Sequence, residues 1–166
     1  LKQQEMAKRV QAAGGVYIES PVGGSIGPAK EGKLMAFVGG DDAEVQKIKP
    51  LLDQMCRRVE HVGPHGAGSM MKLAINLPLM VYWQTLAEAL SLIQPLGLDP
   101  KRVIDIFSDS SGGPNVLKNR GPLIAQTMID GRTDTVNVPV DTVAKDIRAM
   151  LAHAQTLGVS LPLTSQ

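Results

Sequence analysis

Apolar positions along this chain follow two different periods, and the change comes near residue 64. Residues 1–13, LKQQEMAKRVQAA, have helical character, and Gly14-Gly15 supplies the stop signal. VYIES (Val16–Ser20) has the β-branched and aromatic character of a strand. PVGGSIGPAKEG (Pro21–Gly32) contains four Gly and two Pro and predicts a loop. Loops of that length inside compact domains are more often functional than merely connecting. KLMAFVGG (Lys33–Gly40) predicts a second strand, and RVEHV (Arg58–Val62) a third. Between them, Asp41-Asp42 open a helix with acidic residues suited to its positive amino end. Val45, Ile48, Leu52 and Met55 give that helix an apolar face, and Pro50 predicts a kink in it.

After Gly66 the pattern is helical throughout. Ser69 to about Leu96 predicts one long helix, about 40 Å at 1.5 Å per residue. Pro100–Ser108, Asn115–Ile129 and Pro139–Leu157 predict three more. In the last, Val140, Val143, Ile147, Leu151, Ala154 and Leu157 form one apolar stripe. The expected organisation is an α/β piece over residues 1–64 followed by an all-helical piece over 65–166. No internal repeat is evident.

Composition narrows the function classes. An apolar content of 43% suits a globular core and argues against wholesale disorder. Lys+Arg total 17 and Asp+Glu 16, so no charge surplus points to nucleic acid or an anionic membrane. The single Cys56 excludes an internal disulfide framework and fits a reducing compartment, so a cytoplasmic protein is expected. The best apolar run, LAINLPLMVYW, falls short of the roughly 20 residues that span a bilayer and contains Asn76 and Pro78. The first residues do not resemble a signal peptide, and the chain opens on Leu1 rather than Met, which predicts a truncated or processed polypeptide. His61, His65 and His153 lack partners at metal-ligand spacing, so no metal site is expected.

The candidate chemistry sits in VGPHGAGSMMKLAIN. Gly66-Ala67-Gly68 follows a strand and opens a helix, the outline of a dinucleotide-binding turn. The fingerprint requires a third small residue where Met71 stands, and no following strand carries the acidic ribose anchor, so the pyrophosphate reading fails. The turn does offer backbone N–H groups at a helix amino end, which favours an anion such as a carboxylate. Lys72 and Asn76 lie one turn further on at i and i+4 and share a face. Lysine brings a cation and a transferable proton, and asparagine an uncharged donor and acceptor. Spacing alone favours the plainer alternative, a solvated lysine beside a polar neighbour. His65 reads as a loop residue, Met70 and Met71 as core or cleft-wall filler, and Tyr82 and Trp83 as packing or subunit-interface residues.

The order of motifs adds a resemblance. SPVGGSIGPAKEGKLMAFVGG, then GAGSMMKLAIN, then AKD resemble the β-hydroxyacid dehydrogenases, which include 3-hydroxyisobutyrate dehydrogenase and tartronate semialdehyde reductase. The resemblance implies the last strands of a Rossmann-type domain followed by an all-α domain built around one long helix, as at the carboxyl end of 6-phosphogluconate dehydrogenase. Most of the cofactor half would then precede residue 1, and the isolated stretch would be inactive. The cofactor implied is NAD or NADP, bound mainly by that missing half. A small hydroxy-acid or semialdehyde substrate and a homodimer or homotetramer are implied with it.

The family's substrate loop reads D-A-P-V-S-G-G. Here it is Glu19-Ser20-Pro21-Val22-Gly23-Gly24-Ser25, with Gly23 at the serine position and a serine two places on. The resemblance implies that Gly23, Gly24 and Ser25 hold the substrate carboxylate. The catalytic segment G-x-G-x-x-x-K-x-x-N-N is matched by Gly66, Gly68, Lys72 and Asn76, with Ile75 in place of the first Asn. By resemblance Lys72 is the general acid/base and Asn76 orients the substrate oxygens. 6-Phosphogluconate dehydrogenase has His-Asn at Ile75-Asn76 and Glu at Leu79, which argues against a sugar phosphate; imine reductases replace the lysine that stands here as Lys72. Lys145-Asp146 match a K-D pair whose lysine approaches the cofactor, although Val138 stands where the family often has Phe. The plain alternative for Lys145 is a charge on the wet face of a helix.

The implied reaction is reversible oxidation of a 3-hydroxy acid to its semialdehyde, with Lys72 taking the hydroxyl proton. Desolvation and the helix amino end lower the pKa of such a lysine, whereas a nearby carboxylate raises it. The competing class is a non-catalytic helical oligomerisation or binding fragment lacking its cofactor domain.

Overall fold

The structure is a computed structural model that describes residues 2–133, 136 and 138–166. It divides into two compact units, one running to Met80 and resuming over Asp146–Gln166, the other spanning Val81–Lys145.

In the first unit, α1 (Lys2–Ala12) ends at Gly14, whose φ of 77° is the left-handed conformation glycine adopts freely. A three-stranded sheet follows in the order β1 (Val22–Gly23), β2 (Leu34–Gly39), β3 (Cys56–Gly63). β1 runs antiparallel to β2, and β3 parallel to it. The parallel step requires a crossover, supplied by α3 (Asp42–Leu52). Ala36, Val38, Val45, Leu52 and Cys56 form the core, with Ile18, Leu34, Ile48 and Val59 packed against it. α3 continues through Pro50 without interruption. Met55 lies beyond the end of α3 and is 46% exposed, so it does not join the face expected of it.

Three expectations need correction here. Val16–Ser20 is not a strand: its one bridge joins Glu19 to Gly39. Pro21 lacks an N–H and contributes only its carbonyl to the pairing with β2, while the Tyr17 carbonyl is taken by His65 Nε2 at 2.7 Å. Pro21–Gly32 is not all loop, since it contains β1 and a short helix, α2 (Ile26–Lys30). Pro28 is tolerated there because it falls in the first turn, where N–H groups have no helical partner. The stripe on α7 (Val140–Leu157) is fully buried only at Ala154 and half-buried at Val143, Ile147 and Leu151, whereas Val140 and Leu157 at its ends are 80% and 60% exposed. Periodicity specifies a face, not how far along it neighbours extend.

The long helix α4 (Ala67–Ile93) starts two residues earlier than expected, passes through Pro78, and gives way to a 3-10 turn over Gln94–Leu96. In the second unit α5 (Pro100–Asp109) is capped by Asp99, whose side chain accepts from the Arg102 amide at 3.0 Å. α6 (Asn115–Asp130) packs closely on α5, because Gly121 has no Cβ to meet Ile104. Val103, Ile104, Leu117 and Ala125 are buried, and the Trp83 ring lies edge-on to Tyr82, 5.2 Å away, with the Arg120 guanidinium over it. These contacts are packing. A last short helix, α8, covers Pro162–Ser165. Among the described residues no helix is long and apolar enough to cross a membrane.

Candidate functional site

The amino end of α4 is built by glycines and held by an acid. Gly63 and Gly66, with φ of 136° and 102°, let the chain turn from β3 into the helix. Gly68 lets the helix approach the sheet, since a Cβ there would collide with the Phe37 carbonyl oxygen of β2. The Gly66 and Gly68 amides donate to Glu19 Oε1 at 2.6 and 3.0 Å, and the Ser69 hydroxyl donates to Glu19 Oε2 at 2.6 Å. Glu19 is 4% exposed. The anion expected at this helix end is therefore internal. A buried glutamate satisfies the orphan amides and offsets the positive end of the helix.

Ser69, Lys72 and Asn76 follow at i, i+3 and i+7 and share one helix face. Lys72 and Asn76 are both half-buried. Burial holds the Lys72 ammonium below the ordinary lysine range, and the Asp146 carboxylate pulls the other way. The lowering comes from desolvation. A half-buried amine with a depressed pKa beside a carboxamide can accept a proton from a hydroxyl and orient an oxygen.

The sequence candidates fall in three places. Gly23 closes β1 at the sheet edge, with Gly24 at φ 125° after it and Ser25 preceding α2. Gly24 and Ser25 are exposed. Lys72 and Asn76 are brought together on α4, and Asp146 acts on Lys72 from α7. Lys145 is exposed on α7 and belongs to the other compact unit. The histidines have structural partners: His61 Nε2 lies 2.9 Å from the Gly40 carbonyl, and His65 braces Tyr17.

Two functional features escaped sequence reasoning. Glu19 opens the substrate-loop motif, yet the partners of its carboxylate lie 47 to 50 residues away. The unassigned anion at a glycine-opened helix was a signal for it. The action of Asp146 on Lys72 likewise had no local signal.

The Gly66–Gly68 turn offers no cradle for a pyrophosphate, because its amides are engaged by Glu19. Lys72 and Asn76 instead place an amine and a carboxamide on one face of α4.

Comparisons with known proteins identify the family. Residues 1–63 match the family described as the NAD binding domain of 6-phosphogluconate dehydrogenase, and residues 66–166 the NAD-binding family of NADP-dependent 3-hydroxyisobutyrate dehydrogenase. The 3-hydroxyisobutyrate dehydrogenase of Pseudomonas aeruginosa is 32% identical over 96% of this chain and 54% of its own length. The 2-hydroxy-3-oxopropionate reductase of Escherichia coli is 31% identical over 99% of this chain and 55% of its own length. A solved 3-hydroxyisobutyrate dehydrogenase from Salmonella typhimurium superposes with a TM-score of 0.85 at 28% identity, covering 98% of this chain and 56% of that one. The chain spans about half the length of the curated relatives it matches. The fold expected, strands with helices followed by a mostly helical region around a long helix, is the one these relatives share. The chain belongs to the β-hydroxyacid dehydrogenase family, whose members are NAD(P)-dependent dehydrogenases and reductases of the 3-hydroxyisobutyrate dehydrogenase type.

Proposed function

We propose that this chain forms the substrate end of an oxidoreductase that moves a hydride between NAD or NADP and a small 3-hydroxy acid or its semialdehyde. The observation that carries the reading is Lys72: half-buried, with its ammonium destabilised by burial, on one face of α4 with Asn76. In the oxidation direction the neutral amine takes the hydroxyl proton as the carbinol C–H electron pair leaves. Bound nicotinamide supplies the acceptor for that hydride. Lys72 then carries the proton as ammonium and returns it to the carbonyl oxygen in the reverse direction. Asn76 orients the reacting oxygen through its carboxamide. Gly23, Gly24 and Ser25 hold the substrate carboxylate, and exposed Lys145 approaches the cofactor.

In this reading residues 1–64 contribute the end of a cofactor domain and 65–166 a helical substrate and dimerisation domain. A cytoplasmic homodimer or homotetramer is part of the proposal. Apolar side chains left exposed on α4 and α6, among them Met71, Ile75, Met128 and Ile129, support self-association.

The test is Lys72→Ala in the complete native polypeptide. Turnover is expected to fall by about 10²–10⁴-fold, the range general acid–base groups contribute, with cofactor affinity by calorimetry unchanged. Normal turnover in the folded variant rules the assignment out. A second reading, a non-catalytic helical binding fragment, draws support from the occupied glycine turn. It predicts no cofactor binding in any native polypeptide that contains these residues.

A further inference from the structure

Glu19 is the buried charged side chain among the described residues, and the proposed chemistry does not use it. It lies where three elements meet. Its N–H donates to the Gly39 carbonyl, and its own carbonyl accepts from the Gly39 amide, each at 3.0 Å, which pins it to the end of β2. Its carboxylate reaches the other way and takes the Gly66 and Gly68 amides and the Ser69 hydroxyl at the start of α4. Two residues on, the Pro21 carbonyl accepts from the Phe37 amide at 2.9 Å and continues the attachment towards Gly23. Gly39 has the one side chain that permits this, because a Cβ there would collide with the Glu19 carboxylate.

We infer that Glu19 is a positioning residue, which locks the segment carrying Gly23, Gly24 and Ser25 in register with the helix face carrying Lys72 and Asn76. The inference rests on the reading of those residues given above. The physical basis is rotational. Successive residues of an α-helix turn by about 100°, so a grip on Ser69 and on two amides of the first turn fixes where i+3 and i+7 point. A shift on the order of 1 Å in such a site costs about 10²-fold in rate. Because the carboxylate already occupies the amino end of α4, a substrate carboxylate is directed to the Gly23–Ser25 segment.

Glu19→Ala and Glu19→Gln in the complete native polypeptide test this, read by kcat and KM. A second readout is the affinity for isobutyrate, the non-reacting 3-deoxy analogue of 3-hydroxyisobutyrate, by NMR titration. Glu19→Ala is expected to lower kcat about 100-fold, raise KM for the acid and weaken isobutyrate binding, with KM for the cofactor unchanged. Glu19→Gln keeps an oxygen for the two amides and an NH₂ for Ser69, so it is expected to restore most of both. A cap that is merely structural lowers the melting temperature and leaves kcat per folded molecule and isobutyrate affinity at parental values; that result overturns the proposal. If Glu19→Ala does not fold, Glu19→Ser carries the test. Its hydroxyl is too short to reach from the end of β2 to the α4 amides and Ser69, and parental kcat and affinity there overturn the proposal equally. Lys72→Ala separates the two ideas. Full turnover in Lys72→Ala with weakened isobutyrate binding in Glu19→Ala removes the acid/base reading and leaves the positioning role standing.

Discussion

Two glycine turns in this chain look alike in sequence and behave differently in the fold. Gly66-Ala67-Gly68 is tightly enclosed, with both glycines buried and their amides donating to Glu19. Gly23-Gly24-Ser25 lies at the sheet edge, with Gly24 and Ser25 exposed. A glycine turn is a strong anion binder because its amides are uncovered. Whether it binds a ligand depends on whether the protein has already supplied the anion. At α4 it has, and the substrate-carboxylate site proposed above is the exposed turn at the end of β1.

The contrast can be broken most sharply by adding one methyl group at each turn. Gly68→Ala places a Cβ against the Phe37 carbonyl oxygen, a backbone atom that cannot swing away. The roughly 1 kcal/mol that alanine gains in a helix does not offset overpacking, which typically costs about 1–3 kcal/mol. A net loss of up to about 2 kcal/mol in denaturant unfolding is expected from these two effects. Gly24→Ala meets mainly the flexible Leu34 side chain but forces φ near 125° on a residue with a Cβ. It is expected to cost about 1–2 kcal/mol through backbone strain and, unlike Gly68→Ala, to raise KM for the acid in the folded protein. Equal effects on KM from the two variants erase the distinction drawn here.

Ser69→Ala removes one hydrogen bond to the Glu19 carboxylate and leaves both amide bonds in place. A hydrogen bond to a charged group contributes about 1.5–3 kcal/mol, so a lowered unfolding midpoint is expected, smaller than that of Glu19→Ala. No change in midpoint means that the hydroxyl does not share in the attachment.

The gentlest test is pH. Lys72 must be neutral to accept the hydroxyl proton, and burial lowers its pKa from the ordinary value of about 10.4. The oxidation rate is therefore expected to rise with pH through a midpoint below that value. Asp146 favours the charged ammonium, so Asp146→Asn is expected to move the midpoint further down. An upward shift in Asp146→Asn contradicts the electrostatics of the site.

Sequence patterns recovered what is locally encoded. The α3 and α4–α7 helices lie close to where periodicity and capping put them, with Asp99 and Pro100 opening α5 and Gly158 following α7. β2 and β3 also read correctly, as did the face shared by Lys72 and Asn76, because i and i+4 is a property of any helix. Val16–Ser20 misread because β propensity measures fit to a neighbouring strand. There the carbonyl of Tyr17 goes to His65, and Glu19 is the one residue of the segment bridged to β2. α2 was hidden behind a proline that a first turn tolerates.

The sequence by itself determined the longer helices, the central strands, the family and the Lys72–Asn76 spacing, since each depends on short-range order or on motif sequence. Only the tertiary structure decided that the Gly66–Gly68 turn is closed by Glu19 and that Asp146 acts on Lys72. Both arise from charges far apart along the chain, and no local pattern specifies where folding will bring a buried carboxylate.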